Sequence, residues 1–129
     1  MRNLNRDAAT RDKMIFGEFN PDEYHGGIRY FEGLKLDTLK ALLEKNFIEA
    51  TESQNGAPTT EQILNFIEHY PDYTVHGYTV SPERSDYRIT LEGVEKGDGA
   101  DSPQELQDFT QLFKDADFID SATMYCWFD

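Results

Sequence analysis

YTVHGYTVSPERSDYRITLEGV, residues 73–94, decides the fold. Two runs rich in Val, Ile, Thr and Tyr flank Ser81-Pro82-Glu83-Arg84-Ser85, a cluster of turn residues. Strand formers on both sides of a polar break read as two strands, Tyr73–Val80 and Asp86–Val94, joined in an antiparallel hairpin. In the second strand Tyr87, Ile89 and Leu91 alternate with Arg88, Thr90 and Glu92, giving a core face and a wet face. The first strand reads two ways: Tyr73, Val75 and Gly77 inward, or His76, Tyr78 and Val80 inward. A lone hairpin is marginal in water, so its neighbours must cover it.

Upstream lie two helical patterns. Leu36, Leu39 and Leu43, with Leu42 beside them, mark a helix over Leu36–Lys45. Asn46 suits a left-handed helix end, and Phe47 can fold back on the last turn. A polar connection, residues 49–58, leads to Thr59-Thr60-Glu61-Gln62, a capping box. The helix after it carries Ile63, Ile67 and Tyr70, with Leu64 and Phe66, and stops at Pro71. Downstream, Ser102-Pro103-Gln104-Glu105 combines an N-cap Ser, a Pro at the first helical position and a capping-box Glu. Its helix shows Leu106, Phe109, Phe113 and Ala116 on one face, with Leu112 adding to it. Phe118–Phe128 reads as a last strand with apolar bulk on both faces, and Ile28–Glu32 as a short first one.

The resulting order is (β)-α-α-β-β-α-β. Neither the helices nor a small sheet can bury their apolar faces alone. The expectation is an α+β two-layer sandwich, with three helices packed on an antiparallel sheet of three to four strands. Residues 28–129 form its single domain. Residues 1–27 read as a loosely attached arm, with a weak stripe of Leu4, Ala8, Arg11 and Ile15 and the breakers Asn20-Pro21-Asp22 and Gly26-Gly27.

Charge narrows the partners. The chain carries 25 acidic and 12 basic residues, a net charge of -13 over 129 residues. Four of the basic residues, Arg2, Arg6, Arg11 and Lys13, fall in the first thirteen positions, so the remainder is more acidic still. Such a body repels phosphate backbones and anionic membranes. It favours a basic protein partner, or else serves solubility alone. The single cysteine, Cys126, allows no intrachain disulfide, no apolar run spans a bilayer, and Met1–Lys13 lacks a secretory core. A cytoplasmic setting is the expectation.

No chemical motif competes with the charge. Helix, connection, helix and hairpin follow the order of a winged helix-turn-helix. However, the connection is long, and the second helix carries Glu61 and Glu68 with no Lys or Arg. His25, His69, His76 and Cys126 lack metal-ligand spacing, so neither metal nor cofactor is expected. Gly97-Asp98-Gly99 fits neither a calcium loop nor a phosphate loop. The hairpin gathers His76, Tyr78, Arg84, Asp86, Tyr87 and Arg88. This group is capable of acid–base work if it lines a pocket, but ordinary cross-strand pairing is the favoured account, since no nucleophile–base–orienter spacing is visible. Tyr125 and Trp127 belong to a core strand or, if exposed, anchor an interface or a homodimer. The leading functional expectation is a non-catalytic binding or regulatory module. It would be an immunity-type inhibitor of a basic toxin or a nucleic-acid mimic, presenting Glu44, Glu49, Glu52, Glu61, Glu68 and Asp72. A small enzyme or ligand-binding domain with a pocket at the hairpin is the alternative.

Overall fold

A computed structural model describes residues 4–129. Arg2, counted above in the charge of the arm, lies outside the described residues. The elements are α1 (Ala8–Phe16), a 3-10 turn (Pro21–Glu23), β1 (Ile28–Leu34), α2 (Leu36–Glu44), α3 (Thr60–His69), β2 (Thr74–Val80), β3 (Ile89–Glu95), α4 (Pro103–Leu112), β4 (Phe118–Asp120) and β5 (Tyr125–Trp127). The architecture is α+β. Among the described residues four helices replace the three expected, and a three-stranded antiparallel sheet ordered β1-β2-β3 is joined by a separate ribbon of β4 and β5.

Local chemistry starts the helices where the sequence indicates. At α3 both halves of the Thr59/Gln62 capping box form. At α4 the Ser102 hydroxyl accepts from the Glu105 N–H at 3.1 Å. Asn46 is left-handed, and the Phe47 N–H returns to the Leu42 carbonyl at 2.9 Å, leaving Phe47 buried. Leu39, Leu42, Ile63, Phe66 and Ile67 then pack with Phe109 and Phe113 on Tyr73, Val75, Ile89, Leu91 and Val94. Tyr73, Val75 and Gly77 are therefore the inward set of β2, while His76 and Tyr78 stand on the opposite face.

Tertiary packing overrides the sequence reading in four places. Residues 118–128 form a hairpin rather than one strand, with residues 121–124 as the turn between β4 and β5. The Phe128 N–H bonds the Glu92 carbonyl at 2.8 Å, holding this ribbon against β3. Residues 86–88 precede β3 because Arg84 grips Asp86 through two hydrogen bonds, at 2.8 and 2.6 Å, and keeps the chain in its turn. Thr90 and Glu92, expected on a wet face, are buried. On α4, Leu106 is 43% exposed and Glu105 is buried instead. The Glu105 carboxylate accepts from the Tyr73 hydroxyl at 2.7 Å, the Asp101 N–H at 2.9 Å and the Lys96 ammonium at 3.0 Å. Burial pushes the Glu105 carboxyl upward, but these bonds outweigh it and hold it below its ordinary range.

Within the N-terminal segment, α1 is tied to the hairpin. Arg11 and Asp12 on α1 are fully buried, with 2.8 Å between Nε and Oδ1. Arg11 also donates to the Val80 carbonyl at 3.1 Å and the Tyr24 hydroxyl at 2.9 Å. The guanidiniums of Arg6 and Arg11 each lie 4.6 Å from the centre of the Tyr87 ring. A weak apolar stripe could not reveal this attachment, because it is ionic and aromatic. Removing one partner of a buried pair strands the other. Arg11→Met should therefore lower stability by about 3–5 kcal/mol. Adding Asp12→Leu should recover part of the loss. Urea melts of the two variants check both expectations.

Candidate functional site

The helices pack against the sheet face that carries Phe31, Val75 and Leu91, so the other face supplies the site. β1, β2 and β5 bring Tyr30, His76, Tyr78, Tyr125 and Trp127 to this side. Tyr30 and Tyr78, opposite each other in the ladder, meet edge to face with ring centres 5.7 Å apart. His76 stacks flat on Tyr125, 4.8 Å between centres and 5° between planes, and the Phe118 ring meets Tyr125 at 5.9 Å.

Two bulges shape a cleft here. On β1 the register shifts between Phe31 and Leu34, around Glu32 and Gly33. On β3 it passes from His76↔Gly93 to Gly77↔Leu91, leaving Glu92 as the extra residue. The cleft measures about 250 Å³ and is lined by Tyr30, Glu32, His76, Glu92, Glu95, Tyr125 and Trp127, among others. Three of these are carboxylates. None of its lining residues is Lys or Arg.

The titrating groups respond to this setting. Burial lowers the affinity of His76 for a proton, against the opposing pull of its hydrogen bond to the Cys126 carbonyl at 2.8 Å and of Glu95 and Glu32. The ring is thus biased toward its neutral form. Burial raises the Tyr125 phenol, and the fields of Glu95, Glu92 and Glu32 add to it. Burial also raises the Glu92 carboxyl. A hydrogen bond from the Trp127 side chain opposes that rise, and the charge of Asp129 reinforces it. Burial alone pushes the Cys126 thiol up to about 12, since Val94 only partly offsets it.

No family model, curated protein or solved structure matches the chain.

The candidates from the sequence separate into three groups. His76, Tyr125 and Trp127 meet at the cleft. Tyr78, Arg84, Asp86 and Arg88 do not line it. Arg84 and Arg88 share the Asp86 carboxylate, and Arg88 also donates to the Thr90 hydroxyl at 2.9 Å and the Tyr78 hydroxyl at 3.1 Å. Hydrogen bonds from Arg84 hold the Asp86 carboxyl low, burial opposes them, and Arg88 adds to them. This half of the hairpin is an internally satisfied brace, and its groups do not converge with His76. The third group lies on the helical side. Glu44, Glu61, Glu68 and Asp72 are exposed, Glu49 and Glu52 are half-buried, and Glu68 sits 3.5 Å from Lys40.

Four cleft residues escaped the sequence reading: Tyr30, Glu32, Glu92 and Glu95. The signal for Glu92 was Glu92-Gly93, a glycine inside a strand, which marks a bulge. A wider hollow of about 710 Å³ opens between α3 and α4, over Phe66, Tyr70 and Leu112. Lys114 there is accompanied by Asp108 and Asp115, and Tyr70 already donates to Asp108 at 2.6 Å. It therefore presents no single chemical preference.

Two outcomes are expected. Cys126 in the native protein should resist a thiol reagent such as Ellman's reagent and react only on unfolding; rapid native modification would contradict its burial. Glu92→Gln should raise Tm at pH 7 by about 3 °C, the effect of roughly 1 kcal/mol in a domain this size. A carboxyl raised on folding penalises the folded state wherever it is ionised. The gain should shrink as pH falls through the folded pKa toward the unfolded one, and melts at pH 7 and pH 4 measure it.

Proposed function

We propose that this chain is a non-catalytic binding module for a basic protein, with the open sheet face as its contact surface. One observation carries this reading: three carboxylates border a ring-lined cleft in which no Lys or Arg answers them. The net charge of -13 would speed encounter with a cationic partner and deter nucleic acid and anionic membrane. The half-buried rings of Tyr125 and Trp127, with Phe118 more than half exposed beside them, offer the apolar contact that charge alone lacks. The cleft is smaller than the roughly 300–1,000 Å³ typical of small-molecule sites, which favours a side chain over a metabolite. An immunity-type inhibitor and a nucleic-acid-mimicking inhibitor share this chemistry. The sheet-face location favours the former, because mimicry would draw on the carboxylates of the helical side. A cytoplasmic setting suits the lone buried thiol.

Capture from native-host lysate at about 0.1 M and about 1 M salt tests the proposal, since the Debye length falls from ~10 Å to ~3 Å. The wild type should retain a basic protein at low salt and release it at high salt. Glu32→Lys/Glu95→Lys should lose it, while Glu44→Lys/Glu61→Lys should keep it. The opposite pattern would move the interface to the helices and defeat the reading.

A further inference from the structure

Four charged residues are buried among those described: Arg11, Asp12, Glu92 and Glu105. The fold treats three of them alike. Arg11 and Asp12 neutralise each other, and Glu105 is met by Lys96. Glu92 differs. It is 8% exposed and lies on the cleft, and its polar neighbours are the Trp127 side chain, which is neutral, and Asp129, which is negative. No cation faces it among the described residues. A buried carboxylate without a counter-charge is costly, and elsewhere this chain avoids that cost. The hydrogen bond from the neutral Trp127 side chain leaves the negative charge uncompensated.

We propose that the cleft receives the guanidinium of a single arginine from the partner, with Glu92 as its buried counter-ion and Glu32 and Glu95 at the rim. This inference rests on the basic-partner reading above and names what enters the site.

Two features select a guanidinium. The walls of the cleft are the rings of Tyr30, Trp127 and the His76–Tyr125 stack, and a planar guanidinium packs on rings better than a compact, strongly hydrated ammonium. His76 is biased toward its neutral form, so it does not supply the cation itself. The hydrogen bond between His76 Nε2 and the Cys126 carbonyl fixes the ring as a wall.

The test uses the full chain and four probes: acetyl-argininamide, acetyl-citrullinamide, acetyl-lysinamide and the peptide Gly-Ser-Arg-Ser-Gly. Trp127, the only tryptophan, reports by fluorescence. Amide shifts of Gly33, Gly77 and Gly93 report by NMR. Acetyl-argininamide should move all of these signals and bind at least five-fold tighter than acetyl-lysinamide. Citrulline, isosteric but neutral, should move none. Glu92→Gln should weaken argininamide at least ten-fold while Tm holds or rises, which separates lost recognition from lost folding. Should that variant fail to fold, Glu95→Gln, at an exposed position, should still weaken the probe several-fold.

The source of the arginine is read separately. The peptide should bind at least as tightly as acetyl-argininamide, whereas free L-arginine, whose own carboxylate meets Glu32 and Glu95, should bind more weakly. The reverse order would overturn a protein source. Equal response to citrulline, or shifts confined to the helices, would overturn the guanidinium site. If that site fell while Glu32→Lys/Glu95→Lys still abolished capture of a basic protein, the basic-partner reading would stand without it. If capture proved indifferent to those substitutions, both would fall together.

Discussion

Gly93 stands where no side chain fits. A Cβ built there would lie 2.0 Å from the Cys126 carbonyl oxygen and 2.8 Å from His76 Nε2, at a φ of +156° open to few residues but glycine. This close approach lets β5 press against β3 and puts the Cys126 carbonyl within reach of the His76 ring. That ring then has one orientation, flat on Tyr125. The same bulge leaves Glu92 out of register, lining the cleft. Across the ladder Gly77 is as tight, since its Cβ would meet the Thr90 carbonyl at 2.0 Å. Two glycines on adjacent strands thus set the depth of the cleft, its walls and its unanswered charge.

The remaining charges show what the chain does when stability alone is at stake. Arg11 and Asp12, and Lys96 and Glu105, are enclosed with their partners, and each pair is completed by hydrogen bonds with tyrosine and backbone. These networks tie remote segments: α1 to the end of β2, and the loop before α4 to the start of the hairpin. Glu92 has a hydrogen bond from the Trp127 side chain but no counter-charge among the described residues. Most of the other acidic residues are exposed and hydrated, where they set long-range attraction and little else.

Much of the architecture was written locally. Capping at Thr59 and Ser102, the leucine spacing of α2, Asn46 followed by Phe47, and the alternation around Ile89 and Leu91 are each decided within a few residues. The rest depended on partners distant in sequence. Glu105 displaces Leu106 from the inner face because Tyr73 and Lys96 wait for a carboxylate. Met124 takes a positive φ of 51° and the last segment doubles back, which an alternating apolar pattern does not announce. Arg11 stood in a weak stripe with Leu4, Ala8 and Ile15, and nothing local announced that Asp12, Tyr24, Val80 and Tyr87 would enclose it. At the cleft, His76, Tyr125 and Trp127 were visible as odd polar-aromatic residues in strands. Glu32 and Glu95 were not, because only the two bulges turn them toward the same opening.

The ties between α1 and the hairpin also carry a time. Arg11 finds its partners at Val80 and Tyr87, and the Asn5 carbonyl accepts from the Tyr87 hydroxyl at 2.8 Å. Synthesis proceeds at roughly 5–20 residues per second, so residue 11 exists for about 4–15 s before residue 87 does. During that interval α1 has neither its counter-surface nor a strong apolar face of its own. The first helix made is therefore among the last to be locked. Until the hairpin arrives, the Arg11 guanidinium lacks Val80 and Tyr87, and the finished molecule encloses it while Arg6 and Lys13 stay at the surface.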